Sequence, residues 1–260
     1  MGMIQTLRTA TSDRALRFAV ALGLLCLALQ GAGLVEALRF DRQAIANGAY
    51  WKLLSGNFVH LGASHLGMNL AGLALVAALV WRQFDWAEWA ALTALSSVVV
   101  GCGLFALNPE IGWYVGFSGT LHGLIIAGCL GDLRDYPKSA ALLLVLVVAK
   151  LGWEQVGGAL PGSEATAGGR VVVDAHLYGA LAGLAMAPAL LWHRRRREHG
   201  VALHTDGPTV TMTGTASGAG VGPVGGPVGG PVGGPVGGTG GDTGGGSGDR
   251  PGSGATERGG

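Results

Sequence analysis

Apolar and polar positions alternate along this chain in long blocks. Six apolar stretches stand out, roughly Phe18–Val35, His60–Trp81, Ala87–Leu107, Val115–Leu130, Ser139–Trp153 and Val171–Trp192. A helix needs about 20 largely apolar residues to cross the hydrocarbon core of a bilayer, and these blocks approach that length. The pattern predicts an all-α, polytopic membrane protein of six spanning helices. Residues 1–17 precede the first span, residues 18–193 hold the membrane domain, and residues 194–260 follow it.

The last of these segments differs in kind. Arg194, Arg195, Arg196 and Arg197 form a basic stop, and Pro-Val-Gly-Gly then occurs four times in succession from Pro223 to Gly238. Such a stretch has too little apolar surface to offset the entropy of ordering it, so a disordered tail is expected.

Composition agrees with the membrane reading: 49% of residues are hydrophobic and 13% charged. Orientation follows from Lys and Arg, which are retained on the cytoplasmic side during insertion. With the N-terminus inside, the inner segments carry Arg8, Arg14, Arg17, Arg82, Arg134, Lys138 and Arg194 to Arg197, ten in all, against Arg39, Arg42, Lys52 and Arg170 outside. Both termini are therefore expected in the cytoplasm. A basic stretch before an apolar run also fits a secretory signal, but the first run lacks a convincing small-x-small cleavage site and is read as a retained helix. Cys26, Cys102 and Cys129 all fall in apolar spans and read as small hydrophobic side chains, so neither a disulfide nor a metal site is indicated. A net charge of +1 gives no sign of a nucleic-acid partner.

Polar residues inside apolar spans are costly and are usually paired or functional. With the N-terminus inside, the second, fourth and sixth spans all run inward. Ser118 and His176 then lie roughly 5–10 Å below the outer ends of their spans, at ~1.5 Å per residue. His65 and Asn69, four residues apart, share one helix face at a similar depth. A serine hydroxyl becomes a useful nucleophile when a base takes its proton, and histidine is the usual base near neutral pH. Ser118 and His176 form the candidate pair. Asn69, with His65 beside it and the Ser118 backbone N–H, is the candidate oxyanion site. Gly119 and Gly123 on the fourth span, and Gly179 and Gly183 on the sixth, predict close packing of those two helices.

These residues resemble the rhomboid intramembrane serine proteases over Trp51 to about Trp192. The match consists of Gly116-Phe117-Ser118-Gly119, the Ala-His-x-x-Gly pattern at Ala175, His176 and Gly179, and His-x-x-x-Asn at His65 and Asn69. Trp51-Lys52 is similar to an aromatic-basic pair in which Arg more often follows Trp. The resemblance implies a six-helix bundle, Ser118 as nucleophile, His176 as base, His65 and Asn69 at the oxyanion hole, and no cofactor. It also implies single-pass membrane proteins as substrates, and cleavage near the outer face of a bacterial inner membrane.

One position departs from the common pattern, which has tyrosine four residues after the nucleophile where this chain has His122. Ser118 to Gly123, together with Lys150 and Glu154, is similar to the rhombosortase branch, whose substrates carry a C-terminal Gly-Gly-containing segment, a helix and a basic cluster. His122, one helical turn below Ser118, is open between competing as base and packing beneath His176, with i, i+4 geometry favouring the second. His60 is read first as a solvated histidine near the helix end and second as a substrate or oxyanion contact, and Trp51 and Trp113 as interfacial anchors. Lys150 and Glu154 are expected as a structural i, i+4 ion pair. Asp174 is open between orienting His176 and capping its own helix. A binding or quality-control relative that lacks activity is disfavoured, because the serine and histidine are both present. A transporter is disfavoured because the polar residues gather near one face and no internal repeat is evident.

Overall fold

A computed structural model describes residues 3–205, with side chains described at 14–194 and at Arg196. These residues form α1 (Met3–Gly31), α2 (Val35–Leu38), β1 (Phe40–Asp41), α3 (Arg42–Ala46), α4 (Lys52–Ser55), α5 (Ala63–Val80), α6 (Trp86–Leu107), β2 (Trp113–Tyr114), α7 (Ser118–Asp132), α8 (Pro137–Gly157), α9 (Ser163–Ala167) and α10 (Val173–Thr205). The Pro-Val-Gly-Gly tail lies outside the described residues.

Among the described residues, five helices are long and apolar enough to cross a membrane: α1, α5, α6, α8 and α10, over windows Arg14–Gly31, Ala63–Gln83, Trp86–Leu107, Pro137–Gly157 and Val173–Arg194. The helical bundle expected from the apolar blocks is present, with differences at particular ends. The first expected span ran to Val35, but α1 stops at Gly31, the chain turns at Gly33 with φ +68°, and Val35 opens α2. The fourth is α7, of 15 residues and so about 22 Å long, shorter than an ordinary span. From Gly119 to Asp132 nearly all of it is buried, because the other helices enclose it. The sixth does not stop at the arginines: α10 continues through them to Thr205, and the Arg196 guanidinium lies 3.8 Å from the Trp192 ring centroid.

Local chemistry fixes several boundaries. Asp85 caps α6 by accepting from the Ala87 and Glu88 amides, while the Glu88 carboxylate accepts from the Asp85 amide. Pro137 opens α8, where its missing N–H costs nothing. At the other end of α6, the Arg42 guanidinium donates to the carbonyls of Leu104 (2.6 Å), Phe105 (2.8 Å), Asn108 (2.7 Å) and Ile111 (2.9 Å). Helix C-termini leave carbonyls without partners and carry partial negative charge, so a five-donor cation is well matched to that end. Lys52 does the same for α2, donating to the Ala37 carbonyl at 2.7 Å and that of Glu36 at 3.2 Å. Arg42 and Lys52 are thus helix caps as well as charges on one side of the bundle.

The segment between α1 and α5 braces the approach to α7. β1 and β2 pair antiparallel, Phe40 opposite Tyr114 and Asp41 opposite Trp113. The Gly116 amide donates to the Gly56 carbonyl at 3.1 Å. Buried Asn57 donates to the Ser97 carbonyl at 3.1 Å and accepts from the Thr120 hydroxyl at 3.2 Å, linking this segment to α6 and α7. At the far end of the bundle, Trp89 stacks on Trp81 with ring centroids 4.2 Å apart and donates its indole N–H to the Trp81 carbonyl.

Candidate active site

Ser118 is the first residue of α7, where helix N–H groups have no intrahelical acceptor. The chain enters through Gly116 at φ +126°, a conformation that favours glycine, and the Tyr114 hydroxyl donates to the Gly116 carbonyl at 2.7 Å. A Cβ at Gly116 would lie 2.7 Å from His65 Cε1, so this turn also needs the missing side chain for space. The imidazole of His65 is thereby held against the loop that delivers Ser118.

His176 reaches Ser118 from α10, whose first turns are anchored to the end of α6. Asn108 donates to the Asp174 carboxylate at 2.7 Å and accepts from the Tyr178 hydroxyl at 2.7 Å, while the Tyr178 ring covers Gly103. Of the two roles left open for Asp174, its contact with His176 is not formed; its carboxylate binds Asn108 instead. The helices are close because of glycine, as the spacing predicted. A Cβ on Gly119 would lie 2.7 Å from the Ala175 carbonyl oxygen, and one on Gly179 would collide with the Gly119 carbonyl. Gly183 stands in the same relation to Gly123.

The result is a Ser118 Oγ to His176 Nε2 distance of 2.9 Å. His176 is buried, 5% exposed, and both residues line a cavity of about 410 Å³ with Asn69, His65, His122 and Lys150. Asn69 donates one amide N–H to the His65 carbonyl at 3.0 Å, which leaves the second N–H of that amide for another acceptor. His65 Nδ1 accepts from the Leu61 amide at 3.4 Å, so the ring proton belongs on Nε2.

His122 lies as expected against His176, with ring centroids 4.3 Å apart and planes 21° from parallel. Its Nδ1 is 2.7 Å from the Ser118 carbonyl oxygen; a carbonyl only accepts, so that nitrogen donates. His122 therefore stacks on the His176 ring while its own Nδ1–H is engaged by the Ser118 carbonyl. Donor atoms of His122, Glu154 and His176 lie within 4.8 Å of one another, a spacing that could suit a cation. The geometry disfavours one: nearly parallel rings send their lone pairs along separate planes, and both nitrogens of His176 are already engaged.

Two expectations need correction. His60 is not a solvated helix-end residue: it precedes α5 and is fully buried, its ring edge-on to His65 with centroids 5.2 Å apart. Burial, and then the neighbouring His65, push His60 down to about 3. Glu154 is more than a partner for Lys150. Lys150 Nζ donates to Glu154 Oε1 at 2.6 Å, as i, i+4 spacing predicted, but Oε2 lies 2.9 Å from His176 Nδ1. Sequence reasoning missed that second contact, although a carboxylate inside an apolar helix was itself a signal. Trp51 and Trp113 are exposed, as interfacial anchors would be.

A bundle of apolar helices that brings a half-buried serine against a buried histidine has the makeup of a multi-pass membrane protein. The description "Rhomboid domain" matches residues 47–193, more than half of the chain, and the chain belongs to the rhomboid family. It is similar to the Bacillus subtilis (strain 168) protein named "Putative rhomboid protease YdcA", with 30% identity over 80 residues, 31% of this chain. The chain spans about 40% of the length of that relative.

Proposed function

We propose that this protein is an intramembrane serine endopeptidase that cleaves single-pass membrane proteins near the outer face of a bacterial inner membrane, with both of its termini in the cytoplasm. The observation that carries this reading is the 2.9 Å approach of His176 Nε2 to Ser118 Oγ in a cavity within the bundle.

In this mechanism a substrate helix unwinds at its outer end, since helical carbonyls are held in backbone hydrogen bonds. Ser118 Oγ bonds to the exposed carbonyl carbon as His176 Nε2 takes the hydroxyl proton. The second N–H of Asn69, the Ser118 amide and His65 Nε2–H stabilise the oxyanion. The peptide C–N bond then breaks and the leaving nitrogen takes the proton from His176. Water repeats the sequence: it loses a proton to Nε2, attacks the acyl carbon, and the ester bond breaks as Ser118 regains its proton. Gly116 and Gly119 shape the approach, and Gly179 and His122 hold the base.

The finer reading is a rhombosortase, which removes C-terminal Gly-Gly-containing segments. The run from Ser118 to Gly123, with His122 stacked on the base, and the Lys150–Glu154 pair support it.

The test is cleavage, in membranes, of a reporter carrying a Gly-Gly-containing C-terminal segment, an apolar helix and a basic tail. Cleavage is expected with the native chain, absent in Ser118→Ala and His176→Ala, and reduced but present in His122→Ala. Cleavage that survives Ser118→Ala would sink the serine mechanism, whereas failure with this reporter and success with a reporter lacking Gly-Gly would reject only the rhombosortase specificity.

A further inference from the structure

Glu154 is a carboxylate on a helix apolar and long enough to cross a membrane, and it is only 3% exposed. A carboxylate in that setting is expensive unless something requires it there. Lys150 alone does not account for its placement. A structural i, i+4 pair on a membrane helix needs one carboxylate oxygen and can extend toward the water interface. Here the pair is lopsided: the Lys150 side chain is 30% exposed and that of Glu154 2%. The carboxylate turns inward, one oxygen on Lys150 and the other on His176 Nδ1.

That contact bears on the chemistry of Ser118. A neutral imidazole carries its proton on one nitrogen, and only the form protonated at Nδ1 leaves a lone pair on Nε2 facing Ser118 Oγ. An ionised carboxylate at Nδ1 accepts a hydrogen bond and donates none, so it selects that form. When Nε2 takes the serine proton, the buried ring becomes a cation, and the same carboxylate lies 2.9 Å from it. Other groups near the ring are committed elsewhere. His122 Nδ1 faces the Ser118 carbonyl, and the Asp174 carboxylate binds Asn108. Lys150 Nζ is 3.4 Å from Nδ1, but an ammonium donates only and could not hold a proton on that nitrogen. Its place is as counterion to Glu154.

We infer that Glu154 is the positioning residue of the Ser118–His176 pair, completing a Ser–His–Glu arrangement drawn from α7, α10 and α8, with Lys150 as its counterion. The inference rests on the serine-protease reading above and extends it to the group that sets the tautomer and orientation of the base. It also gives the Lys150–Glu154 pair a purpose beyond local helix stability.

The experiment uses the purified full-length chain in detergent micelles, with two readouts. The first is the rate at which a fluorophosphonate probe labels Ser118, which needs no knowledge of the substrate; the second is kcat and KM on any reporter that the native chain cleaves. Native protein should label and Ser118→Ala should not; failure of that comparison sinks the serine reading itself, before any Glu154 variant is considered. Glu154→Gln keeps the shape but its amide can donate to Nδ1 and favour the wrong tautomer. Labelling and kcat should each fall by about 100-fold or more, with KM within about twofold and the melting temperature close to native. Glu154→Asp, which restores a carboxylate, should recover at least about tenfold over Glu154→Gln. Labelling of Glu154→Gln within about threefold of native overturns the inference. So does a loss that is equal in the Gln and Asp variants and tracks the fraction of unfolded protein, because that is the pattern of a purely structural pair.

Discussion

Gly119 and Gly179 meet backbone to backbone: a Cβ added to Gly179 would overlap the Gly119 carbonyl oxygen, and one added to Gly119 would press on the Ala175 carbonyl. Without a hydrophobic force to drive helices together inside lipid, close approach depends on small residues of this kind. The same contact sets the separation of Ser118, one residue before Gly119, from His176, three residues before Gly179.

Gly179→Ala should therefore damage stability and activity together. Backbone cannot yield as a flexible side chain does, so α7 and α10 must part, at a cost of about 1–3 kcal/mol. Gly67→Ala on α5 is the control, since its Cβ would meet nothing within 4 Å. That variant should be neutral or up to about 1 kcal/mol more stable, because alanine is the better helix former. Thermal unfolding in detergent, with fluorophosphonate labelling of the same samples, checks both. A Gly179→Ala protein with native stability and labelling would show that the contact is not limiting.

Arg42 should matter for its shape as well as its charge. It reaches the carbonyls of Leu104, Phe105 and Asn108 at the end of α6 and that of Ile111 in the loop beyond, and Asn108 also holds α10 through Asp174 and Tyr178. Arg42→Ala leaves these carbonyls without their cation and should cost about 2–4 kcal/mol, as hydrogen bonds to a charged group are worth roughly 1.5–3 kcal/mol each before compensation by water. Arg42→Lys keeps the charge but not the planar fork, and should recover less than half of the loss. Denaturation of the three proteins under one detergent condition measures this; full rescue by lysine would mean that charge alone suffices.

The contrast between these two sites shows what could be read in the sequence. Gly119, Gly123, Gly179 and Gly183 announce themselves by four-residue spacing on two apolar helices, and Ser118, His176, His65 and Asn69 fall at one depth once the spans are drawn. Those relations follow from helical periodicity alone. Arg42 looks like one more charge on one side of the membrane, because its partners are more than sixty residues away and depend on how a loop folds. Asn57 gives no signal for the same reason. Glu154 lies between the two cases: its spacing from Lys150 is visible, but the rotation of α8 that turns its second oxygen toward His176 is set by packing. His60 is the exception in the other direction: its position near the end of an apolar run suggests exposure, whereas the residue is fully buried with its ring edge-on to His65.

The burial of His60 has a consequence for acid stability. Its ring nitrogens meet no hydrogen-bond partner among the described residues, and burial holds the group down to about 3 from an ordinary value of 6.5. Between those values the unfolded chain binds a proton at this site and the folded chain does not. Stability from this group is therefore full above about pH 6.5 and declines as pH falls toward 3. The melting temperature should drop steadily from pH 7 to pH 4.5, and His60→Leu should flatten that slope while changing stability at pH 7 by about 1 kcal/mol or less, since no internal hydrogen bond is broken. A His60→Leu profile parallel to the native one would assign the acid sensitivity to other groups.

Asn69 offers the sharpest separation of binding from chemistry. One N–H of its amide is spent on the His65 carbonyl, the other is left for a further acceptor, and the residue lines the cavity that contains Ser118. If that N–H meets the oxygen only as charge develops on it, Asn69→Asp should lower kcat on the order of 100- to 1000-fold with little change in KM, because shape is kept while a donor becomes an acceptor. His65→Ala should lower kcat as well, through the Nε2–H beside the Gly116 turn. The double variant then decides how the two act. Donors to one oxyanion form a unit, so the combined loss should be much smaller than the product of the separate losses. Independent, multiplying losses would instead place His65 in the support of the loop, acting through Gly116 on the position of Ser118 and not on the substrate oxygen.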